Sequence, residues 1–339
     1  MQTQTIPYTR DLVLVGGGHT HALILKRWAM DPLPGARVTV INPDPTAAYS
    51  GMLPGHIAGH YTRDELEIDL VRLAQFAGAR LVIARACGID RAKRQVLIEG
   101  QAAIGYDVVS LDIGITSRMP DLPGFAEHAT PAKPLGPFAE AWGRFRDSDS
   151  DGEGPARVVV LGGGVAGAEL ALAMAHGLRA VGRVPEVTIV ERNSALTALG
   201  AGAARALRAA LDAAGITLRE TTEAIEVHSD RVTLSNGETI PAQFVTGATG
   251  ALPYPWLART GLANDAGFVP VDERLRSTDP AIFAVGDCAD MVQSARPKAG
   301  VYAVRQAPFL LHNLRAALAQ TGGMKPYRPQ KDYLKLISL

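Results

Sequence analysis

The residues best suited to chemistry lie in two glycine-rich turns of this 339-residue chain. Residues 12–18 read LVLVGGG, and residues 157–167 read RVVVLGGGVAG, so the second turn satisfies the pattern GxGxxG in full. Glycines at these positions allow a pyrophosphate to approach the backbone N–H groups at the N-terminus of a helix. Each turn therefore predicts a nucleotide-binding site.

The segments around each turn have the spacing that such a site needs. The first turn is followed by HTHALILKRWAM, whose apolar residues recur at helical spacing, and then by a strand at 37–41. The second turn is followed by the helical segment AELALAMAHGL and by the strand EVTIVE, which ends at Glu191. Both stretches predict strand–turn–helix–strand units.

The first turn departs from the pattern at two positions. His21 stands where the third glycine is usual, and Asn42 stands where an acidic residue usually ends the second strand. An amide is a weaker acceptor for ribose hydroxyls than a carboxylate, and Asp44 could supply the missing charge. Two roles remain open for His19 and His21: capping or packing of the first helical turn, and a redox role.

A third signal lies towards the C-terminus. Residues 281–285, AIFAV, read as an apolar strand that is followed at once by Gly286 and Asp287. A basic, glycine-containing loop comes next, and then a predicted helix from about Tyr302 to Leu318. A strand followed by Gly-Asp is an ordinary turn by itself, but its position after two nucleotide-binding units favours a role at a cofactor.

Composition excludes several classes of protein. Lysine plus arginine number 34 and aspartate plus glutamate number 34, so the net charge is zero and offers no field that would attract nucleic acid. With 47% hydrophobic residues the chain can bury a large core, and its length favours about two domains. Cys87 and Cys288 form neither a CxxC pair nor a disulfide framework, which favours a reducing compartment. No metal site is assigned.

The sequence also predicts where the chain resides. No apolar run reaches the roughly 18 residues of a membrane-spanning helix, and the first eleven residues lack a basic segment followed by an apolar stretch. We therefore expect a cytoplasmic chain without a transmembrane segment. The strand-like end, KDYLKLISL, looks interrupted and leaves open whether the chain continues. The oligomeric state and a peripheral membrane contact are open as well.

The three signals together carry a resemblance. GGG near the N-terminus, GGGVAG downstream and FAVGDCAD near the end resemble the two-dinucleotide-binding flavoproteins of the pyridine nucleotide-disulfide oxidoreductase superfamily. The resemblance implies an α/β fold of two Rossmann-like dinucleotide-binding domains, similar to glutathione reductase, with the NAD domain inserted in the FAD domain. The expected bounds are 1–124 and 265–339 for the FAD-binding domain and 125–264 for the NAD(P)H-binding domain.

The resemblance also implies which residues hold each cofactor, and it places Asp287 on the ribityl-pyrophosphate part of FAD. Glu191 would accept the 2′-hydroxyl of NADH and repel the 2′-phosphate of NADPH, so NADH is favoured, although Arg192 could offset this preference. The residues implied for FAD are Gly16, Gly17, Gly18, His19, Thr20, Asn42, Asp44, Tyr49, Ser50, Gly51, Asp112, Gly114, Gly286 and Asp287. The residues implied for NAD(P)H are Gly162, Gly164, Val165, Ala166, Gly167, Glu191, Gly247, Ala248 and Thr249.

Two further patterns narrow the subclass. GGGHTHA together with YSGMLPG looks like the oxidoreductase module that is fused ahead of selenide, water dikinase in some bacteria. Leu53-Pro54, followed by Gly59 and an acidic-apolar helix, looks like the type II NADH dehydrogenases. A fusion to or partnership with selenide, water dikinase is therefore implied. Kinase chemistry is not, because the lysine-cysteine signature of the dikinase does not occur in these residues.

These features predict an FAD-dependent NAD(P)H oxidoreductase that passes a hydride from NADH to FAD and electrons on to a small-molecule acceptor: a quinone, a selenium or sulfur compound, or oxygen. No protein residue is assigned as catalytic, but Lys298, Arg305 and Gln306 are candidates to stabilise the reduced flavin beside a helix N-terminus. The alternative is a regulatory or interaction module that binds FAD or NAD with little turnover. A sulfide-oxidising quinone reductase would need paired cysteines and is disfavoured.

Overall fold

A computed structural model describes residues 9–117, 119, 121–148 and 154–332 of the chain. The segments on which the secretory-signal and chain-end predictions rest lie mostly outside this part. The strands are β1 (Arg10–Val15), β2 (Ala36–Asn42), β3 (Thr46–Ala48), β4 (Glu67–Asp69), β5 (Arg80–Ile83), β6 (Ala86–Asp90), β7 (Gln95–Ile98), β8 (Ile104–Gly105), β9 (Val108–Leu111), β10 (Thr130–Pro131), β11 (Ala156–Leu161), β12 (Pro185–Val190), β13 (Thr217–Arg219), β14 (Ala224–Val227), β15 (Arg231–Leu234), β16 (Thr239–Pro241), β17 (Phe244–Gly247), β18 (Val269–Val271), β19 (Ile282–Ala284) and β20 (Ala289–Met291).

A helix follows each glycine turn, and another lies in the predicted segment near the C-terminus. The α-helices are α1 (His19–Met30), α2 (Leu53–Ile57), α3 (Arg63–Leu66), α4 (Leu70–Phe76), α5 (Phe125–His128), α6 (Leu135–Arg146), α7 (Val165–Ala180), α8 (Ala201–Ala213) and α9 (Gly300–Ala319). The 3-10 helices are Ser50–Met52, Pro255–Thr260 and Gly286–Cys288.

Contacts divide the described residues into two compact units. The first comprises 9–47, 67–115 and 253–332, and the second comprises 48–66 and 116–252. Relative to the bounds expected from the sequence, 48–66 and 116–124 join the second unit, and 253–264 join the first. The first unit is therefore discontinuous in sequence.

Each unit is built on a five-stranded parallel sheet. The strand order is β19-β9-β1-β2-β5 in the first unit and β10-β17-β11-β12-β13 in the second. The register pairs Leu12 with Val38 and with Val108 in the first sheet, and Val158 with Val187 and with Phe244 in the second. The strand that precedes each glycine turn thus lies in the middle of its sheet, which confirms the α/β prediction.

Successive side chains of the central strands are buried on alternate faces, so both faces of each sheet are covered. Successive side chains of a strand point to opposite faces. In β1, Val13 and Val15 lie in one buried cluster, whereas Leu12 and Leu14 lie in another. The residues of β11 divide between two clusters in the same way. Strands buried on both faces are typical of parallel sheets with helices on each side.

The segment 48–66 packs in the second unit because α2 meets α7 there. Trp142 donates from its indole Nε1 to the carbonyl oxygen of Ile57 at 3.0 Å. A Cβ on Gly177, within α7, would lie only 2.4 Å from that same carbonyl oxygen, so glycine is needed at this approach. Nothing in the sequence marks Gly177 as a packing residue, and this contact was therefore not predicted.

The acidic-apolar helix predicted after Gly59 is wrong as a single element. The segment is divided into α3, the short strand β4 and α4. The backbone N–H of Leu70 bonds the carbonyl oxygen of Pro45 at 3.0 Å, and Glu67 accepts a short hydrogen bond from the Thr46 hydroxyl. These contacts with the preceding turn hold 67–69 extended and interrupt the helix.

Among the described helices, none combines the length and the apolar character needed to cross a membrane.

Candidate nucleotide-binding sites

The first glycine turn joins β1 to α1 through a close backbone approach. Gly16 has a φ of +92°, and a Cβ there would lie 2.3 Å from the carbonyl oxygen of Asp112, so only glycine fits. The N–H of Asp112 in turn donates to the carbonyl oxygen of Val15 at 2.9 Å. The end of β9 is thus fixed against the turn, which brings Asp112 to the glycines as predicted.

Asn42 takes over the contact that an acidic residue usually makes. Its Oδ1 accepts from the N–H of Gly17 at 2.8 Å, and its Nδ2 donates to the carbonyl oxygens of Asp44 at 2.7 Å and Thr46 at 3.2 Å. An amide is suited to this position because it accepts on one side and donates twice on the other. The side chain of Asp44 is exposed, so Asn42 is the residue that holds the turn.

His21 is wholly buried and fills the position of the third glycine. Its Nδ1 lies 2.7 Å from the carbonyl oxygen of Gly16, and its Nε2 lies 2.8 Å from Oγ of Ser110. A carbonyl oxygen only accepts, so we assign the proton to Nδ1 and let Nε2 accept from the hydroxyl. Burial lowers the pKa of His21 to about 4, so the ring is neutral and acts as packing between β1, β9 and α1.

The carboxylate of Asp112 lies at the N-terminus of α1. Its Oδ2 accepts from the N–H of His21 at 3.1 Å, and the amide of Thr20 also stabilises its charge. The side chain is 5% exposed, and this burial raises its pKa to about 6. Sequence reasoning placed Asp112 near the cofactor but gave no role to its carboxyl group. Gly114, two residues on, adopts a φ of +69°.

The second glycine turn joins β11 to α7 with the full set of glycines. Gly162 has a φ of +114°, and a Cβ on Gly167 would lie 1.9 Å from the carbonyl oxygen of Gly162. The third glycine is therefore required by helix-strand packing, as the pattern predicts. A Cβ on Gly164 would meet nothing within 4 Å. Packing within the protein does not demand glycine there, so the open space fits a ligand that must approach the backbone.

The N-terminus of α7 is suited to an anion. The helix begins at Val165 and Ala166, and in the part of the chain that the structure describes no side chain caps it. Uncapped N–H groups and the positive end of the helix dipole favour a phosphate. Gly164 and Ala166 are exposed, which leaves this end accessible.

Glu191 stands beside this turn with both carboxylate oxygens engaged. Its Oε2 accepts from the N–H of Gly163 at 2.7 Å, and its Oε1 accepts from the N–H of Asn193 at 2.8 Å. Each oxygen retains a lone pair for a ribose hydroxyl. Arg192 is exposed and lies 3.6 Å from Glu223, where the two form an ion pair.

A network missed by sequence reasoning fixes the loop after Glu191. Glu220 accepts from the N–H of Ala195 at 2.6 Å and from the guanidinium of Arg208 at 2.7 Å. The hydrogen bond from Arg208 lowers the pKa of Glu220 to about 2. The guanidinium of Arg208 also donates to the carbonyl oxygen of Ala195 at 3.3 Å. Arg208 lies in α8 and Glu220 follows β13, so a pair 12 residues apart carries no local sequence signal.

The predicted segment Gly247, Ala248 and Thr249 does lie against the second turn. The N–H of Ala248 donates to the carbonyl oxygen of Leu161 at 2.8 Å, and a Cβ on Gly162 would lie 2.4 Å from Cγ2 of Thr249. Gly247 has the ring of Phe125 where its side chain would be. The crossover after β17 therefore covers the turn in the second unit as Asp112 does in the first.

The Gly-Asp turn of the first unit borders a small cleft that is partly open to solvent. Gly286 has a φ of +63°, and its N–H donates to Oε1 of the buried Gln306 at 2.8 Å. The cleft is lined by residues of this turn, the loop before α9 and its first two turns, including Asp287, Asp290, Lys298, Tyr302 and Gln306. Asp287, Lys298 and Gln306 are therefore brought together as predicted, whereas Arg305 is exposed and does not line the cleft.

Lys298 is held inside this cleft by specific contacts. Its Nζ donates to the carbonyl oxygen of Ala289 at 2.5 Å and lies 4.1 Å from the centre of the Phe268 ring. Burial lowers the pKa of Lys298.

A hydrogen bond also joins α1 to α9: the hydroxyl of Thr20 donates to the carbonyl oxygen of Ala303 at 2.8 Å. The start of α1 and the start of α9 are thus tied together in the first unit.

Three of the residues predicted for FAD fall in the other unit. Tyr49, Ser50 and Gly51 belong to the second unit, together with α2. A Cβ on Gly51 would lie 3.0 Å from the ring of Tyr49, whose side chain is 39% exposed. His19, predicted at the first turn, begins α1 there.

The chain is similar to one protein family and to several proteins of known function. A sequence profile of the family described as pyridine nucleotide-disulphide oxidoreductase matches residues 10–307. A nitric oxide reductase FlRd-NAD(+) reductase from Aeromonas hydrophila is 35% identical over 209 residues, which cover 59% of this chain and 50% of that protein. A rubredoxin-NAD(+) reductase from Pseudomonas putida is 35% identical over 141 residues, covering 40% and 35%. The chain thus spans half the length of these curated relatives or less.

Solved structures share the fold over almost all of this chain. A ferredoxin reductase from Rhodopseudomonas palustris superposes with a TM-score of 0.80 at 25% identity, covering 94% of this chain and 78% of that one. A water-forming NADH oxidase from Lactobacillus brevis, bound to NADH, superposes with a TM-score of 0.77 at 18% identity, covering 94% and 71%. At the latter identity the likeness shows the fold alone.

Proposed function

Because this chain belongs to the pyridine nucleotide-disulphide oxidoreductase family, we propose that it is an FAD-dependent NAD(P)H oxidoreductase. The observation that carries the proposal is the repeated turn: two parallel-sheet units each present a glycine turn and a helix N-terminus at the middle strand. Binding of FAD and NAD(H) is typical of the family. The first unit would hold FAD, and the second would hold NADH.

The residues of the first unit fit the parts of FAD. The glycine turn after β1 offers backbone N–H groups to the pyrophosphate, and Asn42 stands where the adenosine ribose would be held. Gln306 keeps the Gly286 turn in its left-handed conformation, which positions Asp287. When bound, FAD accepts a hydride from the nicotinamide and passes electrons on. The N-terminus of α9 and the cation of Lys298 stabilise negative charge in this cleft.

The residues of the second unit fit NADH better than NADPH. The open space above Gly164 and the uncapped start of α7 take the pyrophosphate. Glu191 accepts ribose hydroxyls and repels a 2′-phosphate. Arg192 is paired with Glu223, so its charge is already partly balanced. We therefore expect NADH as the coenzyme.

The electron acceptor is either a small molecule or a small redox protein. The sequence resemblance points to a small molecule, a quinone or a selenium or sulfur compound, and the names of two relatives point to a small redox protein such as rubredoxin. A partnership with selenide, water dikinase rests on the sequence resemblance alone. We place the reaction in the cytoplasm.

The experiment that tests this function is an anaerobic visible spectrum before and after NADH, and then NADPH, is added. Flavin bands that bleach faster with NADH, and return when rubredoxin, a quinone or a selenium compound is added, would support the oxidoreductase and identify the acceptor class. The second candidate function is a nucleotide-binding regulatory module with little turnover. The carboxylate of Asp112 at the first turn favours it, and a bound flavin that NADH never reduces would establish it instead.

A further inference from the structure

The two glycine turns place different residues at one equivalent position. The N–H of Asp112 donates to the carbonyl oxygen of Val15, the last residue of β1, at 2.9 Å. The N–H of Ala248 donates to the carbonyl oxygen of Leu161, the last residue of β11, at 2.8 Å. Asp112 is therefore the structural counterpart of Ala248, and only the first turn carries a carboxyl group there.

That carboxyl group fills the space that the second turn leaves open. A Cβ on Gly164 would meet nothing within 4 Å, whereas a Cβ on Gly18, its counterpart, would lie 2.4 Å from Cγ of Asp112. A Cβ on Gly286 would lie 2.7 Å from Oδ1 of the same group. Since the second glycine of the pattern is where the pyrophosphate approaches the backbone, Asp112 lies in the region that the phosphates require.

The charges around Asp112 make a second anion costly there. The groups that face it are His19 and His21 from α1, and Asp287 and Cys288 from the turn after β19. Burial lowers the pKa of His21 to about 4 and raises the pKa of the Cys288 thiol to about 12, so both groups are uncharged near neutral pH. Burial is the main cause that raises the pKa of Asp112, and the charge of Asp287 adds to it. The charge of His19 opposes this effect and lowers the pKa of Asp112.

We propose that FAD binds in the first unit with uptake of one proton at Asp112, whose ionised carboxylate otherwise competes with the pyrophosphate for the N-terminus of α1. A protonated carboxyl group carries no charge and can donate a hydrogen bond to a phosphate oxygen. An anion brought close to a buried carboxylate favours its neutral form. Asp112 is thus a positioning residue that couples retention of FAD to pH. The inference rests on the proposed assignment of FAD to this unit.

The test measures the affinity of the apoprotein for FAD between pH 6 and 8.5 by quenching of flavin fluorescence. We expect the Kd of the native protein to rise by up to about tenfold for each pH unit above the pKa of Asp112. Asp112→Asn keeps the shape and an acceptor for the α1 amides but cannot ionise, so its Kd should stay flat. Asp112→Ala should be flat as well and should bind more tightly than the native protein at pH 8.5.

Calorimetry of the native protein supplies a readout that needs no variant. Titration of FAD in two buffers of different ionisation enthalpy gives the number of protons taken up. At pH 7.5 we expect close to one proton for the native protein and close to none for Asp112→Asn. The reciprocal variant, Ala248→Asp, places a carboxylate at the second turn, and we expect it to weaken NADH binding at least tenfold at pH 8 and less at pH 6.

Each outcome bears on the inference. A native protein that binds FAD with a constant Kd and no proton uptake would overturn it while leaving the oxidoreductase intact. A pH dependence that persists in Asp112→Asn but disappears in His19→Gln would assign the proton to His19 and overturn it as well. Failure of the native protein and of both Asp112 variants to bind FAD at every pH would overturn the proposed function together with this inference.

Discussion

The imidazole Nδ1 of His21 lies 2.7 Å from the carbonyl oxygen of Gly16, so a whole ring fits between the first helix and its strand. Gly167 is the equivalent residue of the second unit, and there a single Cβ would already lie 1.9 Å from the carbonyl oxygen of Gly162. The same strand–turn–helix unit therefore occurs with two helix-strand spacings in one chain. In the first unit the wider space is filled by a neutral, hydrogen-bonded ring. In the second unit backbone meets backbone.

Replacing His21 by the glycine that the pattern prefers should destabilise the protein. His21→Gly removes a buried ring and leaves the carbonyl of Gly16 and the hydroxyl of Ser110 without their partner. We expect a loss of about 2–4 kcal/mol in the free energy of unfolding. Urea unfolding measures it, with His312→Ala, near the surface, as a control that costs less than about 1 kcal/mol. A stable His21→Gly protein would show that the wider spacing can collapse.

Gly164→Ala should separate coenzyme binding from folding. The added methyl enters open space, so stability should change by less than about 1 kcal/mol. NADH should nevertheless bind at least tenfold more weakly, because the methyl obstructs the pyrophosphate. Gly200→Ala is a matched control, since Gly200 also precedes a helix, α8, with extended backbone and open space around it. Stopped-flow reduction of bound flavin by NADH measures the effect, and equal losses in the two variants would refute this role for Gly164.

Glu191 should set the preference for NADH. Glu191→Gln keeps one acceptor oxygen for the N–H of Gly163 or Asn193 and removes the negative charge. We expect kcat/KM for NADH to fall and that for NADPH to rise, so that their ratio narrows by at least about tenfold, or 1.4 kcal/mol. The measurement is the ratio of the two kcat/KM values. An unchanged ratio would show that other residues select the coenzyme.

The pKa shifts of two buried groups predict opposite dependences of stability on pH. The pKa of His21 is lowered to about 4 in the folded chain, so its contribution to stability is present above pH 6.5 and is lost as the pH falls towards 4. The pKa of Asp112 is raised to about 6, so its contribution grows as the pH falls through 6 towards 4. The two effects offset each other in the apoprotein.

Removing the carboxyl group of Asp112 should reveal the pH dependence of stability that His21 contributes. In Asp112→Asn apoprotein, stability should fall more steeply between pH 6 and 4 than in the native protein, by about 1 kcal/mol per pH unit. Urea unfolding at several pH values in this range gives the two slopes. Parallel curves would mean that Asp112 has an ordinary pKa in the folded chain.

Cys288 should resist thiol reagents in the folded protein. Its side chain is fully buried, its Sγ lies 3.3 Å from the carbonyl oxygen of Val285, and burial raises its pKa to about 12. A neutral, inaccessible thiol is a poor nucleophile. We expect one fast-reacting thiol, Cys87, in the native protein and two after unfolding in guanidinium. The Cys87→Ala variant should show no fast thiol, and a fast reaction there would place Cys288 within reach of solvent.

Much of the fold follows from local sequence. Runs of apolar residues on either side of glycine turns identified β2, β11 and β12 to within one residue at each end. The run before the first turn identified β1 as well, although the strand begins two residues earlier, at Arg10, and the predicted helix after Asp287 is α9. These elements follow from periodicity and from glycines whose φ is positive, both of which are properties of a few adjacent residues. The grouping of 48–66 with the second unit does not follow from local sequence, because it depends on the fit of α2 against Gly177.

At the site, the two glycine turns and the Gly-Asp turn can be located from the sequence alone, because the backbone conformations that they need are specified locally. The sequence does not say what His21, Asn42 and Asp112 do where they replace the usual residues. The contacts of the folded chain show that His21 fills a wider helix-strand gap, that Asn42 holds the turn, and that the carboxylate of Asp112 lies at the start of α1. These answers depend on which strand end and which helix end meet, and residues 91 positions apart, such as His21 and Asp112, carry no local signal of that meeting.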